Sequence, residues 1–274
     1  MNIAVIITTY NRPDALAAVL DGYLQQSDPA FELVVADDGS TEETRRVVEH
    51  YARSASKLEI RHIWQEDRGF RAAAVRNQAV AATSVDYLLF TDGDCIPARG
   101  FVAAHRRLAA REHFLAANRV LLGPDLTRRI LAARNPVYDW RWQQWVIAWL
   151  RRDVNRLLPL LRLPEGGFRL RSPQRWEGVK TCNLSVWRED LLRVNGLDES
   201  YQGWGLEDSD LVIRLLHAGV RHKSARFAAP VFHLWHAEND RSRLAENRQR
   251  LDELLASDRT RAQVGLDQYL PARV

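Results

Sequence analysis

Tyr87-Leu88-Leu89-Phe90-Thr91-Asp92-Gly93-Asp94 begins as a run of aromatic, apolar and β-branched residues and ends in two aspartates around a glycine. A short apolar run bounded by a turn signal predicts a buried strand, with the carboxylates at its carboxyl end. The same pattern occurs twice upstream. Ile3–Thr8 runs into Thr9-Tyr10-Asn11-Arg12, and Phe31–Ala36 runs into Asp37-Asp38-Gly39-Ser40. Leu58–Trp64 predicts one more strand. Helical stretches lie between. Pro13 opens a helix over Asp14–Gln26, Ser40 with Glu43 fits a capping box for a helix through about Arg53, and Arg71–Ala82 is rich in alanine. Strands alternating with helices predict an α/β fold, with a mostly parallel sheet covered on both faces. Ligands of such sheets bind beyond the carboxyl ends of the strands, so the three polar clusters share one rim.

The pattern changes after about residue 110. Tyr138–Leu161 is rich in tryptophan, arginine and leucine. Pro159 and Pro164 lead to Glu165-Gly166-Gly167, which predicts a flexible loop. Thr181–Trp187 and Val231–Leu234 predict further strands, and Ser209–Ala218 a helix capped by Gly219. The charge-alternating tail from Arg241 predicts a solvated helix.

With 274 residues, 46% of them apolar, the chain can bury a full core without disulfides. Cys95 and Cys182 lie far apart in sequence and form no metal-ligand or redox spacing, which predicts two reduced thiols. Met1-Asn2 leads straight into Ile3–Ile7, with no charged leader and no cleavage site. No run approaches the ~20 apolar residues of a membrane span. A cytoplasmic protein is therefore expected. The net charge is +4 and no block of like charge occurs, so nucleic acid is not an expected partner. Only three of the 39 basic residues are lysine. The planar fork of arginine suits phosphate, although a coding bias toward arginine accounts equally well for most surface positions.

Each polar cluster implies a chemistry. Asp92-Gly93-Asp94 offers oxygen ligands to a hard divalent cation, with a glycine that leaves room for a diphosphate; an ordinary acidic turn carries the same residues. Asp38 can accept a hydrogen bond from a base or ribose while Ser40 caps the next helix. Gly203-Trp204-Gly205-Leu206-Glu207-Asp208-Ser209-Asp210 is the most informative stretch. Its tryptophan can stack on the apolar face of a sugar, and its adjacent carboxylates can hold and deprotonate a hydroxyl. A helix N-terminus also attracts acids, but that does not explain the Gly-Trp-Gly before them. His233-Leu234-Trp235-His236 can bring two imidazoles to one point and close a metal site begun by Asp94.

Thr8-Thr9-Tyr10-Asn11-Arg12, Val34–Ser40 and Thr91–Asp94 resemble the family 2 glycosyltransferases. These have the GT-A fold, a Rossmann-like nucleotide-binding mixed sheet flanked by helices. Gly203–Asp208 is similar to the acceptor motif of the β-1,4-galactosyltransferases, of bacterial chondroitin-type polymerases and of lipopolysaccharide-core and capsule transferases. The resemblance covers roughly residues 1–110 and 175–240, with the motifs in the family's order. It implies an inverting, metal-dependent enzyme that moves a hexose or N-acetylhexosamine from a UDP-sugar to a saccharide or glycolipid acceptor. Lipopolysaccharide or capsule synthesis is the implied setting. Thr8, Tyr10, Asp38, Arg71 and Asp92 are then donor contacts. Asp94 and His236 hold Mn²⁺ or Mg²⁺, Trp204, Glu207 and Asn183 face the acceptor, and Asp208 is the base. His233 stands where the galactosyltransferases have a methionine, which leaves a second imidazole ligand open. Leu206 stands in place of a family glycine. The expected organisation is a nucleotide-sugar half over 1–110, a helical and loop insertion over 111–178, an acceptor and catalytic half over 179–240 and a helical tail over 241–274.

Two other readings use the same residues. A sugar-phosphate nucleotidyltransferase also sets aspartates and a metal on an α/β sheet, but no glycine-rich basic loop for a triphosphate is present near the start. A non-catalytic saccharide-binding protein of the same fold has no need of Asp94, Asp208 and His236 together. Tyr138, Trp142, Trp145, Val146 and Trp149 share one helical face, with Arg141, Arg151 and Arg152 off it. That suits an interfacial helix serving a lipid-linked acceptor on the inner face of the cytoplasmic membrane. It equally suits a helix packed on the protein's own core or in a dimer interface.

Overall fold

The apolar runs become the inner strands of one sheet. A computed structural model describes residues 1–55, 58–238 and 240–271. In it β1 (Ile3–Thr9), β2 (Glu32–Asp37), β3 (Ile60–Trp64) and β4 (Tyr87–Asp92) pair in parallel. The sheet has seven strands in the order β3-β2-β1-β4-β8-β6-β9, where β6 is His113–Ala116, β8 is Asn183–Trp187 and β9 is Arg221–Ser224. β8 runs antiparallel to both β4 and β6, so the sheet is mixed. Side chains alternate across it, as the pleat requires. Ile3, Val5 and Ile7 meet α1 (Pro13–Leu24), α2 (Glu42–Ser54) and α4 (Phe101–Leu108) on one face. Ala4 and Ile6 meet α3 (Ala72–Ala81), α7 (Arg188–Arg193) and α8 (Glu207–His217) on the other.

A second sheet of three strands lies beside the cleft, in the order β5 (Cys95–Pro97), β10 (Val231–His233), β7 (Arg119–Leu121). The segment 111–178 is therefore not wholly an insertion of helices and loops. Its first residues supply β6 to the large sheet and β7 to the small one; α5 (Pro124–Ala133) and α6 (Trp142–Leu150) follow. Among the described residues no helix is long and apolar enough to cross a membrane.

Several local expectations change for identifiable reasons. Ser40 does not cap α2. Thr41 precedes that helix without a side-chain cap bond, and Ser40 Oγ instead accepts a 2.8 Å hydrogen bond from the Asn11 backbone N–H. Asn11 Oδ1 in turn accepts from Thr41 N–H at 2.9 Å, so the loops after β1 and β2 clasp each other. The Gly166-Gly167 loop is pinned by Arg169, whose buried guanidinium donates to the carbonyls of Leu163, Pro164, Ser224 and Arg226. The tail is only partly solvated. α9 (Leu244–Leu255) buries Leu251 and Leu254 against Ile213 of α8. α8 itself begins at Glu207, two residues before the expected start, so both acids of the Glu-Asp pair sit in its first turn, where the helix dipole favours negative charge.

Gly39 closes the β2 turn with φ +95°, and a Cβ there would lie 2.5 Å from Asp67 Cα. Both the backbone angle and the space exclude a side chain. Gly39→Ala is expected to cost at least about 2 kcal/mol. That corresponds to a melting point lower by roughly 4–8 °C for a domain of this size, read by thermal unfolding.

Candidate active site

The carboxyl ends of β1, β2 and β4 open onto a cleft of about 710 Å³ whose far walls are the Gly-Trp-Gly loop, α8 and the end of β10. Thr8, Tyr10, Asp38, Asp92, Asp94, Trp204, Glu207, Asp208, His233 and His236 all line it. Residues more than 220 positions apart in sequence thus meet at one place.

Gly93 has a sharper role than clearance for a ligand. Its N–H donates to Thr8 O at 2.7 Å, and a Cβ would sit 2.8 Å from Thr9 Oγ1. The glycine lets the turn after β4 lie against the end of β1, which points Asp92 and Asp94 into the same cleft.

Asp94 faces two imidazoles. Its carboxylate oxygens lie 3.4 Å from His236 Nε2 and 3.7 Å from His233 Nε2. His236 Nδ1 lies 2.6 Å from the Ala237 carbonyl, so Nδ1 carries the hydrogen and donates it. Nε2 is then the nitrogen that faces the carboxylate, where it can carry a proton or a metal ion. Atoms each ~2.1 Å from one octahedral ion lie ~3 Å apart, close to these spacings. Burial lowers the His233 pKa despite the pull of Asp94, which favours the neutral, ligating form of the ring. Asp94 thus has an imidazole nitrogen before each of its oxygens, donors of the kind a divalent cation accepts; as placed, the close three-atom group is Asp94, Cys95 and His233, and His236 approaches the other oxygen of Asp94.

The two cysteines, remote in sequence, lie together beneath this group. Cys95, Cys182 and Asp92 bring their ligand atoms within 4.8 Å of one another, as do Asp94, Cys95 and His233. Both thiols are free. Burial pushes the Cys95 thiol well up, so it stays protonated and donates weakly to Asp94 Oδ1 at 3.5 Å.

The residue that sequence reasoning missed is Arg76. It is 4% exposed on α3 and donates to Thr8 Oγ1 at 2.8 Å, Asp92 Oδ1 at 3.1 Å and Glu207 Oε1 at 3.4 Å, with Asp208 Oδ1 at 4.0 Å. Arg71, the expected donor contact, is one turn earlier and does not line the cleft. Its guanidinium donates to Glu66 O, while its backbone N–H donates to Asp38 Oδ2 at 2.7 Å. A lone arginine inside Ala72-Ala73-Ala74-Val75-Arg76 was the available signal, because an apolar helix rarely buries a charge without a partner. Arg119, Lys180 and Arg241 also reach the cleft, and the Arg241 guanidinium lies 5.0 Å from the centroid of the Trp204 ring.

Asn183 is a correction. It is 1% exposed and does not line the cleft. Its Nδ2 donates to Asn118 O and Ala229 O, and its Oδ1 faces His105 Nε2 at 3.1 Å. Its polar atoms are fully engaged in joining β8 to neighbouring loops, which leaves none for an acceptor.

Asp208 Oδ1 accepts from Thr181 Oγ1 at 2.6 Å, and its carboxylate is held at the cleft wall beside Glu207. Burial, then the charge of Asp208, push Glu207 up to about 7, with Arg76 opposing. Burial likewise raises Asp92 to about 6, again against Arg76. Burial raises Asp38 as well, opposed by the hydrogen bonds from Arg71 N–H and Gln65.

A sheet whose strand ends carry a carboxylate facing two imidazoles, beside a buried acid pair and a cleft-lining tryptophan, defines a Rossmann-like α/β protein with a polar cleft at its strand ends. Residues 4–171 match the family model "Glycosyl transferase family 2", and 168–237 match "N-terminal domain of galactosyltransferase". The chain belongs to glycosyl transferase family 2. It is 31% identical over 233 residues to a validoxylamine A glucosyltransferase of Streptomyces hygroscopicus subsp. jinggangensis, covering 80% of this chain and 52% of that protein. It is 25% identical over 240 residues to a chondroitin synthase of Escherichia coli, covering 82% and 34%. The chain thus spans about half of the first relative's length and a third of the second's. In fold it is similar to S. aureus TarS, with a TM-score of 0.65 at 16% identity over 98% of this chain and 41% of TarS. It is also similar to the mannosyltransferase PcManGT of Pyrobaculum calidifontis in complex with GDP-Man and Mn²⁺, with a TM-score of 0.61 at 20% identity over 93% and 63%. These neighbours share the GT-A fold.

The raised Glu207 pKa makes stability depend on pH. A carboxyl group whose folded pKa lies above its ordinary value contributes stability that is fully present below about 4.5 and is lost as the pH rises through about 7. Glu207→Gln removes the buried charge and leaves Asp92 and Asp208 to face Arg76. The melting point of the variant relative to wild type is expected to be several degrees higher at about pH 8 than at about pH 5. Parallel thermal unfolding of both proteins across that range checks it.

Proposed function

We propose that the protein is a metal-dependent, inverting glycosyltransferase. It moves a hexose or N-acetylhexosamine from a UDP-sugar to a hydroxyl of a saccharide or glycolipid acceptor, in assembly of bacterial lipopolysaccharide or capsule. The single observation that carries this reading is the union, in one cleft, of the Asp94–His233–His236 group with the Asp208 carboxylate. Family membership supports the reaction class. The solved relatives bound to UDP-GlcNAc, or to GDP-Man with Mn²⁺, support a nucleotide-sugar donor, and the chondroitin synthase relative supports a saccharide acceptor.

On this reading Thr8, Tyr10 and Asp38 surround the nucleoside, with Asp38 held by the Arg71 backbone. Asp92 lies toward the ribose. Asp94 and His236, with His233, would hold Mn²⁺ or Mg²⁺, and imidazole nitrogens in the set would favour Mn²⁺ over the harder Mg²⁺. A cation bound there supplies Lewis-acid charge to the departing diphosphate. Trp204 offers a face to a sugar ring and Glu207 holds the acceptor. Asp208 takes the proton from the acceptor hydroxyl as its oxygen attacks C1 of the donor sugar. The C1–O bond to UDP breaks on the opposite face, which inverts the anomeric centre. Thr181 fixes the Asp208 carboxylate for that proton transfer, and Arg76 limits the repulsion among Asp92, Glu207 and Asp208.

Two substitutions separate chemistry from binding. Asp208→Asn is expected to lower transfer by ~10²–10⁴-fold while UDP affinity stays at the wild-type value. Steady-state UDP release with a panel of UDP-sugars and calorimetric titration with UDP measure the two quantities, and wild-type turnover in the variant rules out the base. Asp94→Ala is expected to abolish the gain in UDP affinity that Mn²⁺ brings. Calorimetric titration with and without Mn²⁺ tests this, and an unchanged isotherm rejects Asp94 as a ligand.

A further inference from the structure

The stretch from Trp140 to Pro164 is unlike the rest of the surface. Trp142, Ile147, Trp149, Leu150, Leu158 and Leu161 are all exposed, Trp149 at 48%, Leu150 at 69% and Leu158 at 65%. The aromatic face expected from the spacing is split: Trp142 and Trp149 stay exposed, while the flank of α6 that carries Trp145 and Ala148, both 4% exposed, is buried, with Trp145 packed on Phe232 of β10 at 4.6 Å between ring centroids. Trp142 and Trp149, seven residues apart, fall on one outward face. A helix apolar on both sides needs a partner on the second side.

Charge identifies the partner. Residues 140–164 carry five arginines and one aspartate, against 39 basic and 35 acidic residues in the whole chain. The rest of the chain therefore holds 34 of each, and the entire net charge of +4 resides in this stretch. The one acid, Asp153, is bonded to Arg129 outside the stretch. Among the described residues none of the five arginines pairs with a carboxylate: the Arg156 and Arg162 guanidiniums donate to backbone carbonyls only, and Arg141, Arg151 and Arg152 are exposed. A second copy docked through this face would set arginine against arginine, a like-charge contact that opposes association. Tryptophan at a polar–apolar boundary, leucines beyond it and unpaired arginines around them suit the headgroup region of an anionic bilayer.

We propose that this face docks the protein on an anionic lipid surface through Trp142, Trp149 and Leu158, with Arg151 and Arg152 on the lipid phosphates. The face adjoins the cleft. Val154 forms a bridge with Leu122, and Asn155 Oδ1 accepts from the N–H of Leu121; both leucines line the cleft wall. An acceptor carried on a lipid would thus reach the cleft from the docked side, a consequence that rests on the transferase reading. The docking itself does not.

Flotation with phosphatidylcholine–phosphatidylglycerol vesicles tests it on the whole chain, with phosphatidylcholine vesicles as the control. The protein is expected to float with the anionic vesicles and to be released by salt. Arg151→Gln/Arg152→Gln is expected to weaken partition by roughly 10–30-fold, since each surface arginine contributes about fivefold. Trp142→Ser/Trp149→Ser is expected to weaken it to a similar degree or more, with the variant still unfolding cooperatively because half of each ring is already in solvent. Failure to float, equal binding to both vesicle types, or partition unaffected by either double variant overturns the proposal. So does a concentration-dependent dimer abolished by Trp142→Ser/Trp149→Ser in a protein that does not float, which gives the face to a second copy. No sugar or nucleotide enters the assay, and Asp208→Asn is expected to float as wild type does. Loss of docking and loss of the transferase reading are therefore separate results.

Discussion

A guanidinium buried at the floor of the cleft holds the site together. Arg76 reaches the end of β1 through Thr8, the end of β4 through Asp92 and the first turn of α8 through Glu207 and Asp208. Three carboxylates in so confined a space repel one another, and a buried cation without partners is costly in its turn. Each charge is tolerable because the others are present. The balance is incomplete, since burial still raises Asp92 and Glu207 above the ordinary carboxylate range. The arrangement fixes Asp92 and the Glu207–Asp208 pair in one geometry, although they lie more than 110 positions apart in the chain.

The next residue continues the same task. Asn77 Nδ2 donates to Leu197 O and to Glu199, while its Oδ1 accepts from Leu197 N–H at 2.9 Å. Gly196 comes so close that a Cβ would sit 2.4 Å from Asn77 Oδ1. Consecutive residues of α3 thus fix both the acids of α8 and the chain that leads to them. From the other side α9 holds the Gly-Trp-Gly loop, with Asn247 Nδ2 donating to Gln202 O and Gly205 O. Leu206 has φ +77°, a conformation that glycine adopts freely and leucine does not, and its side chain packs against the small cluster of Ile213, Leu251 and Leu254. The contact with α9 offsets the strain of a leucine at that position.

What could be read in the sequence follows from length and period. β1, β2 and β4 are five or more residues of apolar and β-branched character ending in polar clusters, so both the strands and the rim of Thr8, Asp38, Asp92 and Asp94 were legible. β10 was legible as Val231–Leu234, but its partners β5 and β7 have three residues each, too few for a period to show, and the second sheet was invisible for that reason. The reversed direction of β8 leaves no trace in its composition. Asn183 carried the right chemistry on the right strand, but pairing with carbonyls from two distant loops decides its orientation. Cys95 and Cys182 meet only because β5 and the segment before β8 converge. Arg76 was hidden by an alanine-rich helix whose small side chains gave no period against which to judge an inward-facing residue.

The small sheet, unseen in the sequence, governs the cation group. His233 on β10 pairs with Cys95 on β5, and Leu234 N–H donates to Asp94 O at 2.9 Å. This antiparallel register sets the His233 imidazole against the Asp94 carboxylate. A slip of one residue would turn His233 away from the cleft and bring Phe232 into its place. Phe232 instead faces away from the cleft into the core and packs on Trp145, the inner anchor of α6. One short strand therefore carries a candidate metal ligand on one side and, on the other, the support of the helix whose outer face presents Trp142 and Trp149. The pleat of β10, with the Leu122–Val154 bridge and the Asn155–Leu121 hydrogen bond, ties the two surfaces together. The docking face and the cleft cannot move independently without breaking a three-residue ladder.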